Sequence, residues 1–200
     1  MERKSYSASA TKLPFWFMEF RKEIELLSNG NSFEDIRKLA IEENIFGAAT
    51  EKRAKVIYST VTARIKSLGD NFYTIFSASD IATQKLFALA GTMANDTLFF
   101  DFVYEVVREK MLIGSNEFAD SDIRIFFKNK QLQDEKVAGW TDPSLNNLRK
   151  SYKNYLFEAG MTDDGKKART IHRPILDPVF EGWLKDNGME LLAKAMAGEQ

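Results

Sequence analysis

The sequence predicts a mainly α protein, a helical bundle with one small β element, on three observations. Apolar residues recur at helical spacing through most of the chain. Ser, Thr, Asp and Asn stand where helix starts need capping groups, and only the stretch near 164–174 combines turn residues with β-prone ones. With 200 residues, 44% of them hydrophobic, there is enough apolar surface for one generous domain or two small ones.

The first twenty residues carry charge and a short aromatic patch, but no apolar run of the ~7 to 15 residues that a secretory signal requires. Phe15, Trp16 and Phe17, which follow Pro14, are read as packing against the helical core in preference to forming an exposed contact. Ser32 and Asp35 then make a capping-box pattern that opens a helix through Glu43, with Phe33, Ile36, Leu39 and Ala40 on one face; Asn44 and Gly47 break it. Thr50 caps a second helix to about Leu68, whose stripe is Ala54, Ile57, Tyr58, Val61, Ile65 and Leu68. The two together read as helix, short turn, helix. On the second, Arg53 and Arg64 share one flank, whereas Lys52, Lys55, Ser59 and Lys66 lie opposite the apolar stripe, so both sets can face solvent.

Helices over about 79–94 and 97–113 come next. The second has a wide apolar arc of Phe99, Phe100, Phe102, Val103, Val106, Val107 and Met111 and is the expected central core helix. Its polar edge of Asp101, Glu105, Arg108 and Glu109 is read as intrahelical pairing of Glu105 with Arg108, not as a metal cluster. Those charges, with Asp96 and Lys110, also exclude a membrane span over 86–113. Asp120, Ser121 and Asp122 cap a further helix running through Phe126 and Phe127 towards Lys130.

Asp142 followed by Pro143 starts the best-signalled helix, which runs to Ala159 and stops at Gly160. Its stripe is Leu145, Leu148, Tyr152, Leu156 and Ala159, and one flank collects Asn146, Arg149, Lys150 and Lys153. Asp164-Gly165 then marks a turn, with Lys166, Lys167 and Arg169 beside a short β-prone segment that passes His172 and Arg173 and ends at Pro174. A basic-flanked helix followed by a basic hairpin outlines a winged helix. The full expectation is a helical bundle with helix-turn-helix-like elements and a C-terminal winged-helix-like unit with a short β-hairpin. Residues 1–117 would form the N-terminal helical domain and 118–200 the C-terminal winged-helix-like domain.

The chemistry of the residue set is restrictive. No cysteine means no disulfide, thiolate metal site or cysteine nucleophile, and a reducing cytoplasm is the natural compartment. A single histidine, His172, rules out a His-rich metal centre and has no identifiable nucleophile beside it, so a packing or phosphate-side role is favoured. Neither a GxGxxG nor a GxxxxGK[ST] loop is present. No catalytic residue, metal or cofactor is therefore expected. The formal net charge of -1 speaks against a strong global attraction to nucleic acid, yet it is a sum of opposed blocks: 50–68 and 121–175 each carry +4, while 23–49 carries -4 and 69–120 carries -5. A phosphate backbone responds to potential within about 8–10 Å, so the blocks matter more than the total.

Four segments, EENIFGAATEKRAKVIYSTVTARIKSL (42–68), FDFVYEVVREKML (100–112), LRKSYKNYLFEAGM (148–161) and RPILDP (173–178), together and in this order resemble the BrxA family of BREX bacteriophage-exclusion systems. The resemblance covers about residues 30–180. It implies a cytoplasmic, non-enzymatic, mostly helical protein that binds double-stranded DNA beside other BREX proteins that methylate host DNA and block phage. The residues that would make those contacts are Lys52, Arg53, Lys55, Arg64 and Lys66 on the first basic helix, and Asn146, Arg149, Lys150, Lys153, Lys166, Lys167, Arg169 and Arg173 further on. Two alternatives stay open at this level: a protein–protein adaptor within the defence complex, and an RNA-binding protein using the same surfaces.

Overall fold

The structure is a computed structural model and describes residues 3–200. Its first half is a packed set of helices: α1 (Phe17–Ser28), α2 (Phe33–Glu42), α3 (Glu51–Lys66), α4 (Tyr73–Ala78) and α5 (Ile81–Asn95). Local capping sets several of these boundaries. Asp35 N donates to Ser32 Oγ (3.1 Å) while Ser32 N donates to Asp35 Oδ2 (3.0 Å), the reciprocal capping box expected for α2. Thr50 Oγ1 accepts from Arg53 N at the start of α3 (3.1 Å). α3 lies against α1, α2 and α5. At its crossing with α5 the backbones approach so closely that a Cβ on Gly91 would stand 2.9 Å from the carbonyl oxygen of Arg64.

α5 is buried on all sides from Leu86 to Ala94. At Asp96 the chain bends by 112° into the next helix, and Asp96 Oδ1 caps that helix by accepting from Leu98 N and Phe99 N (3.1 Å each). The new helix runs as α6 (Thr97–Phe102), a π-helical turn (Val103–Val107) and α7 (Arg108–Leu112). It occupies the centre of the core, as its apolar arc predicts, but the π-turn is written in no sequence signal. Among the described residues no single helix is long and apolar enough to cross a membrane; α5 and the 97–112 helix reach that composition only as a bent pair.

The polar edge of this helix is not the intrahelical pair expected. Glu105 pairs with Lys130 (2.6 Å), and Arg108 with Glu109 (2.7 Å) and the carbonyl of Glu199 (2.6 Å). Asp101 is 3% exposed and accepts from Arg3 (3.0 and 2.8 Å), the Tyr6 hydroxyl (2.6 Å) and Lys130 (3.3 Å). Helical spacing shows only neighbours on the same helix, whereas Lys130 and the N-terminal arm arrive from far along the chain.

The second half comprises β1 (Glu117–Ala119), α8 (Asp120–Gln133), α9 (Glu135–Ala138), α10 (Asp142–Glu158), β2 (Ala168–Thr170), α11 (Pro178–Asp186) and α12 (Glu190–Ala197). At the α8 start the cap comes from within the helix, Ala119 N donating to Asp122 Oδ2 (2.7 Å), and leaves Asp120 free to face α10. α10 is capped one residue earlier than expected: Thr141 Oγ1 accepts from Ser144 N (3.4 Å), which places Asp142 and Pro143 in the first turn. Gly160, at φ +81°, ends α10 as predicted. The basic hairpin differs in partnership. β2 pairs antiparallel with β1, Phe118 opposite Arg169, while the strand leaving α10 contributes only the bridge Thr162–Ile171. Three residues are too few to show a period of two, so β1 was invisible; its Phe118 is anchored against the Phe102 ring (centroids 5.8 Å).

One continuous hydrophobic core joins the two halves. Phe180 and Trp183 of α11 pack on Phe87 of α5 (4.3 and 5.4 Å between centroids). Phe15, Trp16 and Phe17 are buried in the same core, in line with their reading as packing residues.

Candidate nucleic-acid interface

The orientation of α10 is fixed by what it buries. Leu148, Tyr152, Tyr155 and Leu156 are essentially inaccessible, and the Tyr152 ring lies 5.0, 5.5 and 5.9 Å from those of Phe99, Phe102 and Phe127. Aromatic contacts of this kind add about 0.5–1.5 kcal/mol each beyond area burial, so the helix cannot roll without losing them. The opposite face is open: Asn146, Asn147, Lys150 and Asn154 are exposed, and Phe157 is 43% exposed at the C-terminal end. The side chains of Asn146, Asn147 and Lys150 make no hydrogen bond or ion pair among the described residues, and Asn154 Nδ2 donates to Glu158.

Of the four residues nominated on one flank, the structure keeps two on the open face and turns two away. Arg149 pairs with Asp120 (3.2 Å), and the Lys153 ammonium, with only 8% of the residue exposed, is held by Asp120 Oδ1 (2.9 Å) and the carbonyl of Lys166 (2.6 Å). Asp120, freed from capping duty, is the reason, and no helical-wheel argument within α10 could reveal it. Arg169 is likewise committed, donating to the carbonyl of Asp163 (2.6 Å) and lying over the Phe157 ring (5.7 Å).

The turn 163–167 is tied down on the same side. Lys153 grips the carbonyl of Lys166, and Asp120 N donates to the carbonyl of Lys167 (2.9 Å), so the exposed lysines 166 and 167 stand beside α10 with no ion pair among the described residues. Asp163 shapes the turn: hydrogen bonds from Thr170, then Gly165, hold its carboxyl below the usual carboxylate range. Arg173 and His172 are exposed just beyond.

The candidates on α3 divide differently. Lys52 is exposed with no ion pair among the described residues, Lys55 is exposed and pairs with Glu51 (2.5 Å), and exposed Lys66 has its ammonium over the Phe33 ring (4.4 Å). Arg53 is half-buried over Trp16 (4.7 Å). Arg64 is not solvent-facing: it is 3% exposed, donates to the carbonyls of Phe15 and Pro14, and lies 5.4 Å from the Tyr155 ring centroid. The N-terminal arm covers the flank that the isolated helix would leave open. α3 packs on α1, α2 and α5.

Wheel geometry could have identified Asn147, Asn154 and Phe157, which sequence reasoning missed: the point opposite Leu148 and Tyr152 is Lys150, and these residues cluster about it. Basic charge drew the reading one position round the helix instead. Elsewhere, burial raises two carboxyls in the N-terminal bundle, Glu23 to about 8 and Asp96 to about 6. No group of three or more His, Cys, Asp or Glu that could hold a metal ion occurs among the described residues.

Three comparisons bear on this arrangement. A solved structure, of an uncharacterized protein from Magnetospirillum magneticum, superposes with a TM-score of 0.81 over 98% of this chain and 100% of that one, at 18% identity, which speaks for the fold alone. "BREX protein BrxA" of Bacillus cereus (strain H3081.97) is 39% identical over 177 residues, 88% of this chain and 88% of that protein. A family model described as BrxA matches residues 4–188. With nearly the whole length matched by the family model and by a relative at that identity, the chain belongs to the BrxA family of BREX phage-defence components.

Proposed function

We propose that this protein is a non-enzymatic, cytoplasmic DNA-binding component of a BREX system, acting beside other BREX proteins. It holds duplex DNA with the outer face of α10 and the lysines of the 163–167 turn. The observation that carries this reading is the contrast on one surface: Arg149 and Lys153 share the Asp120 carboxylate, while Lys150, Lys166 and Lys167 are exposed without an ion pair among the described residues. The order of helix, strand, three helices (the short α9 being extra) and β-bridged turn resembles a winged helix, in which α10 enters the major groove and the turn meets the neighbouring backbone. Lys52, Lys66 and Arg173 would add phosphate contacts only.

The test is a salt series of duplex binding by the intact protein and by a Lys150→Glu, Lys166→Glu, Lys167→Glu variant. Each lost phosphate contact lowers the slope of log K against log salt by about 0.9, so loss of the two turn lysines is expected to reduce it by roughly 2, with Lys150→Glu weakening binding further. Equal affinity and slope for the two proteins would remove this surface from the reading.

A further inference from the structure

The face that α10 leaves open is unusual in kind. Phosphates are held chiefly by lysine and arginine, with short polar side chains adding contacts. Here three carboxamides, Asn146, Asn147 and Asn154, surround one ammonium, Lys150, and the aromatic edge of Phe157 closes the row. The two arginine and lysine side chains best placed to add charge, Arg149 and Lys153, are bound to Asp120. We infer that α10 reads base edges, with Asn146, Asn147 and Asn154 selecting adenine in the major groove and Lys150 selecting guanine between them.

The chemistry is that of direct readout. A carboxamide offers an acceptor and a donor in the spacing of adenine N6 and N7, and lysine donates to guanine O6 and N7. Phenylalanine at the end of the row suits a thymine methyl group. Asn146 and Asn147 make no intramolecular side-chain bond among the described residues, so both amide groups are available; Asn154 spends one amide hydrogen on Glu158 and retains its Oδ1 and the other. Spacing agrees with one recognition site. At 1.5 Å per residue, Asn146 to Asn154 spans about 12 Å, which is roughly three to four base pairs at 3.4 Å each. Selectivity of this form requires B-form DNA, because the deep, narrow major groove of duplex RNA does not admit a helix.

This inference rests on the DNA-binding reading above, and the experiment separates the two. Duplexes with a randomised core are enriched by repeated binding to the intact protein, in parallel with an Asn146→Ala, Asn147→Ala, Asn154→Ala variant whose fold is verified by circular dichroism and thermal melting. The expected result is enrichment of adenines at two or three positions within about four base pairs by the intact protein, and loss of that enrichment by the variant with general duplex binding retained. Replacing an enriched adenine by 7-deazaadenine, which removes N7, should weaken binding by about tenfold per position. Duplex binding without base preference, or a preference unchanged in the variant, overturns base reading and leaves DNA binding standing. Failure of the intact protein to bind any duplex DNA overturns both, and equal affinity for RNA duplexes of the enriched sequence overturns the major-groove placement.

Discussion

Glu23 is fully buried between α1 and α3, with Oε1 accepting from the Thr62 hydroxyl and Oε2 without a hydrogen bond among the described residues. Burial lifts its pKa to about 8, against 4.5 for the free side chain, with the Thr62 hydrogen bond and the Lys66 charge opposing the rise. At neutral pH the folded protein therefore holds a proton that the unfolded chain has released, and stability must fall as pH rises. The loss is absent below about 4.5, grows between 4.5 and 8, and is complete above. At about 1.4 kcal/mol per unit, the span of some 3.5 units corresponds to about 5 kcal/mol at pH 8 and above, and to roughly 3 kcal/mol at pH 7. Glu23→Gln keeps the shape and the acceptor for Thr62 but cannot ionise. Urea unfolding of both proteins from pH 4.5 to 8.5 should show curves that coincide at the acid end and separate steadily, the variant being more stable by several kcal/mol at pH 8. A difference that does not change with pH would refute the assignment of a buried, protonated carboxyl.

Three further outcomes follow from the geometry. Burial alone would raise the Asp101 carboxyl, but hydrogen bonds from Arg3 and Tyr6 and the Lys130 charge hold it below its ordinary value. Asp101→Asn should thus cost about 3–5 kcal/mol near neutrality, and the difference from the parent should shrink as pH drops below about 4; a denaturation midpoint unchanged at pH 7 would contradict this. Gly91→Ala gains about 1 kcal/mol in helix propensity, yet its Cβ would meet the Arg64 carbonyl at 2.9 Å and Leu68 at 3.3 Å, so a net loss of about 1–2 kcal/mol is expected in thermal melting. Lys153→Met should lower stability by about 2 kcal/mol while leaving the salt slope of duplex binding as in the parent, because its ammonium is spent on Asp120 and the Lys166 carbonyl; a reduced slope would place Lys153 on the DNA after all.

Where structure depends on neighbours within one helix, the sequence was a good guide. Ser32, Asp35 and Thr50 cap as their spacing demands, Gly160 ends α10, and the apolar arc of 97–112 is the centre of the core. What it concealed were encounters between distant segments. Arg64 looks free on a wheel because the carbonyls of Pro14 and Phe15 lie 49 or more residues away, and Lys153 because Asp120 is 33 away. The candidate site suffered from the same blindness: charge was legible, but its pairing was not, and so of the uncharged amides on the exposed face only Asn146 was nominated.

The N-terminal arm, finally, imposes an order on synthesis. Arg3 and Tyr6 are held by Asp101, Ser151 donates to the Ala10 carbonyl (2.7 Å), and the Tyr155 hydroxyl donates to the carbonyl of Leu13, 142 residues earlier. At about 5–20 residues per second, a ribosome needs roughly 7–28 s to pass from Leu13 to Tyr155. For most of that interval Phe15 lacks the Tyr155 ring of α10 that packs against it (6.1 Å between centroids). Such long-range closure slows folding and leaves an aromatic segment open to misassociation. Nascent chains of this protein should accordingly engage holdase chaperones through residues 13–20 until α10 is made.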